Sequence, residues 1–381
     1  MASRLVYLDY NATTPLDVRV LQAITPYFTK SYGNAASNHA AGVVARAAVE
    51  KARGQVARLI RCRSDEIVFT SGATEANNLA IKGVAEALAD QGRHIVTQIT
   101  EHKAVLDPCK TLERRGWQIS WLRPDSGGRI SPEQVEQVLR PDTVLVSIMW
   151  ANNEIGTIHP IGQIGRVCRQ HRVLFHTDAT QAVGKVPVDV AADQVDLLSL
   201  SAHKLYGPKG VGALYVRTGV PLAIQMDGGG HERGMRSGTL NVPGIVGLGA
   251  ACELAAAEML QEAPRLAALR DRLEDEIRRQ LPGVTVNGSL EHRLPHCSNL
   301  SFAGVDGGAL LSGFDDVCVS SGSACTSAIK APSFVLRALG VPDDLALASV
   351  RYSLGRMTTQ ADIDRAVEKT VEIVRRLRGM A

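Results

Sequence analysis

The 381-residue chain reads as an α/β protein, with a mostly parallel sheet in a large unit and a smaller α+β unit following it. Three observations predict this. The length exceeds the roughly 100–200 residues of one ordinary domain, which points to two packed units. Between Glu66 and Arg217, short β-branched runs alternate with helical periodicity, the pattern of a parallel sheet covered on both faces. Beyond the glycine-rich stretches Gly228–Gly230 and Gly234–Gly238, that alternation gives way to a long Ala/Leu/Glu/Arg helical pattern from about Val246 to Gln280.

Taken in order, Leu5–Leu8 is a lone strand followed by Asn-Ala-Thr-Thr-Pro, too short to be a unit and expected to pack on the carboxy-terminal one. Strands are expected at Glu66–Thr70, His94–Ile99, Thr143–Met149, Val173–Thr177, Asp196–Leu200 and Gly212–Val216. Apolar residues at i, i+3, i+4 spacing predict helices at Thr74–Asp90, Ser131–Arg140 and Pro160–His171. A boundary near Ala255 gives a large unit over residues 15–255 and a small one over residues 1–14 and 256–381, the latter closing on a helix at Asp362–Arg378. Ligands of such sheets bind beyond the carboxyl ends of the strands, which directs attention to Ser71–Thr74, Ala151–Glu154, Asp178–Gln181 and Ser201–Lys204.

Composition excludes several classes. Lys+Arg 42 against Asp+Glu 39 leaves +3, with 21% charged and 45% hydrophobic residues, which is ordinary globular usage and gives no reason to expect direct nucleic-acid binding. No unbroken apolar stretch reaches the roughly 20 residues that span a bilayer, so no membrane is implied. Met1–Asp9 meets an acidic residue before any signal-like apolar core, so the expected location is cytoplasmic. Seven cysteines are odd in number and scattered, without C-x-x-C, which argues against a disulfide framework. His292, His296 and Cys297 lack a paired second half at zinc spacing, so no resident metal is expected. Neither G-x-G-x-x-G after a first strand nor a P-loop occurs.

Several residues carry chemistry. Ser71-Gly72-Ala73-Thr74 joins a strand to a helix N-terminus, where small residues expose N–H groups to an anion; the same turn is equally a capping arrangement. Asp178 ends an apolar strand, so its carboxylate either caps the next helix or pairs with a buried cation such as a protonated heteroaromatic nitrogen, which makes the ring a better electron sink. Lys204 ends another apolar strand, where desolvation frees an amine for Schiff-base chemistry. One strand–loop–strand unit separates the two, so they can face one ligand. His102 falls at a third strand end, placed to stack on a flat ring or shuttle a proton. Arg351 alternates with apolar neighbours and suits a carboxylate. Cys325 lies in Ser320–Ser327, a small polar run expected to be an exposed, mobile loop; the other six cysteines read as structural.

Tyr7-Leu8-Asp9-Tyr10-Asn11-Ala12-Thr13-Thr14-Pro15, Phe69-Thr70-Ser71-Gly72-Ala73-Thr74-Glu75, Thr100-Glu101-His102-Lys103, Asn152-Asn153-Glu154-Ile155-Gly156, Asp178-Ala179-Thr180-Gln181, His203-Lys204, Arg236-Ser237-Gly238-Thr239 and Ser320–Ser327 together resemble the cysteine desulfurases, nearly end to end. The long cysteine loop is similar to that of the NifS/IscS-like branch of this class V aminotransferase superfamily. The resemblance implies the type I pyridoxal-phosphate (aspartate aminotransferase-like) fold, with pyridoxal 5'-phosphate bonded to Lys204. It also implies Asp178 on the pyridine nitrogen, Gln181 on the ring hydroxyl and His102 stacked on the ring. Phosphate contacts would come from Ala73, Thr74, Ser201 and His203. Thr239 would reach the cofactor phosphate of a neighbouring subunit, implying a homodimer. Asn153 would lie at the cofactor and, with Arg351, near the substrate carboxylate.

The implied reaction takes L-cysteine to L-alanine: the substrate displaces Lys204, loses its Cα proton, and its sulfur is attacked by the Cys325 thiolate, leaving a persulfide there. An iron–sulfur scaffold protein or another acceptor, including the tRNA thiolation route, would take the sulfur, and Cys325 is also a candidate transient iron–sulfur ligand. Two other readings are weaker. A selenocysteine lyase does not need a thiol on a long loop, and a catalytically silent sulfur-relay protein would not keep Lys204, Asp178, His102 and Cys325 together. The chain departs from the family pattern at Ala202, where many relatives have Gly, and at Gly33-Asn34-Ala35, where Gly-Asn-Pro is frequent. It stops at Ala381, soon after the last helix, without the longer tail that helps some relatives dock the scaffold.

Overall fold

The structure, a computed structural model, describes residues 5–321 and 331–380. Its strands are β1 (Val6–Tyr7), β2 (Ile67–Thr70), β3 (His94–Gln98), β4 (Gln118–Leu122), β5 (Thr143–Ser147), β6 (Leu174–Asp178), β7 (Leu197–Ser201), β8 (Gly212–Val216), β9 (Val284–Val286), β10 (Cys297–Phe302), β11 (Val317–Cys318) and β12 (Ser349–Ser353). Seven of them form one sheet in the order β2-β8-β7-β6-β5-β3-β4. All neighbours are parallel except β8, which runs antiparallel to both β2 and β7. The reason is chain length: residues 202–211 between β7 and β8 are fewer than the dozen or so that a parallel crossover takes.

The interior strands are apolar on both faces, as a sheet covered by helices demands. Ile95, Leu145 and Leu197 belong to the core under helices Ala73–Ala87 and Lys103–Glu113. Their neighbours Val96, Val146 and Leu198 belong to the opposite core, under Ala40–Ile60 and Ile161–Gln170. This alternation is the period of two that a strand imposes. The expected strands of this region are all present. β4 and the helices Ala40–Ile60 and Lys103–Glu113 were not anticipated. β4 is an edge strand with an exposed Gln118 and half-buried Ile119, Ser120 and Trp121, so its pattern is not apolar, and Lys103–Glu113 carries an interior Pro108 that masks its helical character.

A second core gathers Val6 and Leu8 with Leu273, Ile277, Leu300, Phe302, Tyr352, Ile363 and Val374. It lies against the antiparallel sheet β12-β10-β9 and the parallel pair β1-β11. The helix Val242–Gln280 runs through both cores, supplying Ile245, Leu248 and Cys252 to the first and Leu266, Leu273 and Ile277 to the second. It is long and apolar enough to cross a membrane by composition, yet 56% of its most apolar window is buried inside the protein, the setting of a core helix. The last helix, Gln360–Leu377, begins with a capping box between Thr359 and Asp362.

Candidate functional site

A cavity of about 580 Å³ opens at the carboxyl ends of β2, β3, β6 and β7. Its lining brings together Ala73, Thr74, His102, Asn153, Asp178, Gln181, Ser201, His203, Lys204 and Arg351, so ten positions singled out on sequence grounds face one space. Thr239 is not among its lining residues and lies exposed on the loop after Arg236. Cys325 lies outside the described residues. A shallower recess of about 630 Å³ sits at the opposite ends of the strands, near Thr143 and Leu174, and holds none of these residues.

The anion-facing edge is built by β2 and the helix Ala73–Ala87. Gly72 caps that helix at φ 155°, a conformation that glycine tolerates and other residues resist. A Cβ on Gly212 would lie 2.7 Å from the Gly72 Cα, so the turn can press against β8 only because Gly212 lacks a side chain. The first-turn N–H groups of the helix have no intrahelical acceptors and carry its positive end. Glu75 fixes the turn from outside: it accepts the Ser71 N–H at 2.7 Å and a bidentate pair from Arg236 at 2.7 and 3.1 Å. Burial pushes the Glu75 carboxyl up, but Arg236 and Ser71 outweigh it and hold the group below its ordinary value.

Asp178 ends β6, 6% exposed. Asn77 Nδ2 donates to its Oδ2 at 2.7 Å and the Thr180 N–H to its Oδ1 at 3.0 Å, which fixes the carboxylate plane and compensates its burial. The helix-capping reading of Asp178 is not met, since a turn and not a helix follows β6, and the carboxylate lines the cavity. Lys204 follows β7 in a short 3₁₀ turn, and its Nζ donates to the main-chain oxygens of Asn11 at 2.5 Å and Ala12 at 2.7 Å. Gln181 Nε2 donates to that same Asn11 oxygen at 3.0 Å.

His102 caps the helix Lys103–Glu113, its Nδ1 accepting the Ala104 N–H at 3.1 Å. Burial lowers its pKa, so the ring is neutral near pH 7 with its proton on Nε2. Burial, aided by Lys204, Lys209 and Lys185, brings His203 down to about 4; its Nδ1 meets Thr13 Oγ1 at 3.1 Å. Arg351, in the middle of β12 and 2% exposed, pairs with Asp9 at 2.6 Å and donates to the Asn153 carbonyl at 2.9 Å. The strand's alternation turns it inward, as the sequence suggested.

Sequence reasoning missed Asn77 and gave no role to Asn11 or Glu154, all three lining the cavity. Asn77 lies four residues into its helix on the sheet-facing side, a position that only the packing reveals. Asn77 Oδ1 and Thr180 Oγ1 are buried at the cavity with no hydrogen-bond partner among the described residues, the signature of a site shaped for a polar ligand. Among the described residues, no group of three or more His, Cys, Asp or Glu side chains is arranged to hold a metal.

The Aminotransferase class-V family profile matches residues 6–366. Cysteine desulfurase IscS of Anaeromyxobacter dehalogenans (strain 2CP-C) is 58% identical over 379 residues, covering 99% of this chain and 94% of that protein. Cysteine desulfurase of Homo sapiens is 51% identical over 381 residues, covering 99% of this chain and 83% of that protein. Among solved structures, a NifS-like protein superposes with a TM-score of 0.92 at 40% identity, over 98% of this chain and 100% of the other. SspA in complex with cysteine superposes at 0.82 with 38% identity, over 91% and 98% respectively.

Proposed function

Because the chain belongs to the class-V aminotransferases and, within them, to the NifS/IscS-like cysteine desulfurases, we propose that it takes sulfur from L-cysteine onto Cys325, leaves L-alanine, and holds pyridoxal 5'-phosphate as its resident cofactor. The single observation that carries the site assignment is that Asp178 and Lys204, on the adjacent strand ends of β6 and β7, face one cavity together with the N-terminus of the helix Ala73–Ala87. The residues present fit such a group. The buried carboxylate of Asp178 suits a protonated ring nitrogen. The Ala73–Thr74 N–H groups, Ser201 and His203 suit a phosphate, and Asn77 Oδ1 and Thr180 Oγ1 are buried polar atoms with unmet bonding capacity.

When bound, the cofactor supplies an electron sink for negative charge at the substrate Cα. The chain's own groups do the rest. Asp178, locked by Asn77 and Thr180, would hold the ring proton, and Gln181 would face the ring hydroxyl. The neutral His102 would lie on the ring face, and Asn153 would flank it. Lys204 Nζ would anchor the cofactor, then take the Cα proton. Arg351, with Asn153, would orient the substrate carboxylate. Cys325 thiolate would attack the substrate sulfur: an S–S bond forms, the Cβ–S bond breaks, and its electron pair stays on carbon, which takes up a proton to give alanine. The persulfide would then pass to an iron–sulfur scaffold protein or another acceptor.

Two wider assignments belong to the same proposal. The chain divides at Ala255 into a large unit over residues 15–255 and a small one over residues 1–14 and 256–381, supported by the two cores that the helix Val242–Gln280 joins. The protein works in the cytoplasm, supported by six described cysteines that are all free. The test is a visible absorption spectrum followed, in the same cuvette, by L-cysteine with a thiol reductant and assays for sulfide and alanine. Cys325→Ser is expected to keep the cofactor band and lose sulfide release. A colourless parent protein, or sustained turnover in Cys325→Ser, overturns the assignment.

A further inference from the structure

We propose that Asn11 is a positioning residue for Lys204: its side chain is clamped so that its main-chain carbonyl, with that of Ala12, forms a fixed docking point for the lysine amine. The segment Asn11–Thr14 enters the site from the amino terminus and is bonded through nearly every polar atom. The Asn11 N–H donates to Ser353 Oγ at 2.9 Å. Its Nδ2 donates to the Asn153 carbonyl at 3.1 Å and to Cys297 Sγ at 3.2 Å. Its Oδ1 accepts from His296 Nε2 at 2.8 Å. The residue is 1% exposed.

These bonds come from β10, from β12 and the segments beside them, and from the loop after β5. Movement of the Asn11 carbonyl would therefore break contacts to several elements at once. That carbonyl accepts both Lys204 Nζ and Gln181 Nε2. The neighbouring residues hold the lysine's own turn: the Thr14 N–H and Oγ1 both donate to the His203 carbonyl, at 2.9 and 3.0 Å, and the Tyr206 N–H donates to Thr14 Oγ1 at 2.8 Å. A lysine side chain loses considerable rotamer freedom when fixed. A docking point that fixes it before the chemistry removes that cost from the bond-forming step. Asn11 thus sets where the amine waits whenever it is not joined to the cofactor, at cofactor loading and again while substrate occupies the site.

The inference rests on the reading of Lys204 as the cofactor-binding lysine, so the experiment separates the two. Asn11→Ala and Asn11→Asp are made in the full-length chain, each alone and combined with Lys204→Ala. Pyridoxal 5'-phosphate is added to the cofactor-stripped proteins. Growth of the lysine-bound visible band gives the loading rate, and equilibrium titration in the Lys204→Ala background gives the cofactor Kd. Loading is expected to slow about tenfold or more in both Asn11 variants, a larger factor than any rise in the Kd measured with Lys204 absent. Asn11→Asp keeps the shape and the His296 acceptor but loses the two donors, so it carries the test where Asn11→Ala fails to fold. Unchanged loading overturns the proposal, as does a rise in Kd, with Lys204 absent, by the same factor as the slowing of loading. If Lys204→Ala alone still allows borohydride to fix the cofactor to the chain at the parent level, the reading of Lys204 itself fails, whatever Asn11 does.

Discussion

Glu101 precedes His102 and is fully buried, its Oε1 accepting the Met149 N–H at 2.6 Å and Gln98 Nε2 at 2.9 Å, while its Oε2 has no partner among the described residues. Burial pushes its carboxyl up to about 8, against the two donors that pull it down; Asp178 adds to the rise. A raised acid is stabilising below its unfolded pKa, about 4.3, and loses that contribution as pH rises toward the folded value, because the unfolded chain gains by ionising first. Glu101→Gln has the shape of the protonated acid and no such titration. It is therefore expected to be near neutral at pH 4 and more stable than the parent at pH 8.5, by about 2 kcal/mol or more. Urea midpoints for both proteins at the two pH values check this; a difference that does not grow with pH refutes the buried, protonated Glu101. The same burial keeps His102 and His203 neutral near pH 7, so the basic side chains left to face an anion in the cavity are Lys103, Lys204, Lys209 and Arg351.

At the scale of elements, the turn that caps Ala73–Ala87 is held from a distance. Arg53, on the helix Ala40–Ile60, makes a bidentate pair with Glu232 at 2.7 and 2.9 Å, with side-chain exposures of 4% and 1%. Glu232 also accepts the Phe69 N–H of β2 at 2.7 Å, and the guanidinium lies 4.6 Å over the Phe69 ring. Removing Glu232 leaves the buried Arg53 only the exposed Glu50 as an ion-pair partner and takes the acceptor from the Phe69 N–H, so Glu232→Ala is expected to cost about 3 kcal/mol. The double replacement Arg53→Met with Glu232→Leu should cost less than Glu232→Ala alone. Chemical unfolding of the three variants decides it, and a double variant worse than the single one refutes the account. This link was not legible in the sequence, because residues 53 and 232 lie far apart and Glu232 sits at an unusual φ of 48°. Asp178, Lys204 and His102 were legible, because each ends a recognisable apolar strand and parallel sheets present such ends to ligands. Asn11 and Asn77 were not, since their roles come from contacts between segments that nothing local in the chain announces. The antiparallel β8 escaped for a related reason: strand pattern gives position, whereas direction followed from the short connection after β7.

At the scale of the whole molecule, Thr239 is exposed and not among the residues lining the cavity, which is where the expected role at a second copy's cofactor can be tested. Leu21, Phe28, Tyr32, Val43 and Val44 are all close to half exposed or more, on a segment ending in the helix Ala40–Ile60, an apolar display that a partner chain would cover. If Thr239 serves the neighbour's phosphate, defects in Lys204 and Thr239 lie in different sites of a mixed dimer. Thr239→Asp puts a carboxylate against that phosphate and is expected to lose most activity through repulsion, as Lys204→Ala does through loss of the amine. Each homodimer then has two damaged sites, but a hybrid has one site with both residues intact. Co-refolding equal amounts should therefore restore roughly a quarter of parental sulfide release, since about half the dimers are hybrids with one working site. Light scattering on each variant confirms that it is dimeric before mixing. Dimeric parents that show no recovery on mixing would place Thr239 at its own chain's cavity or outside the chemistry altogether, and a monomeric parent protein would remove the partner from the site.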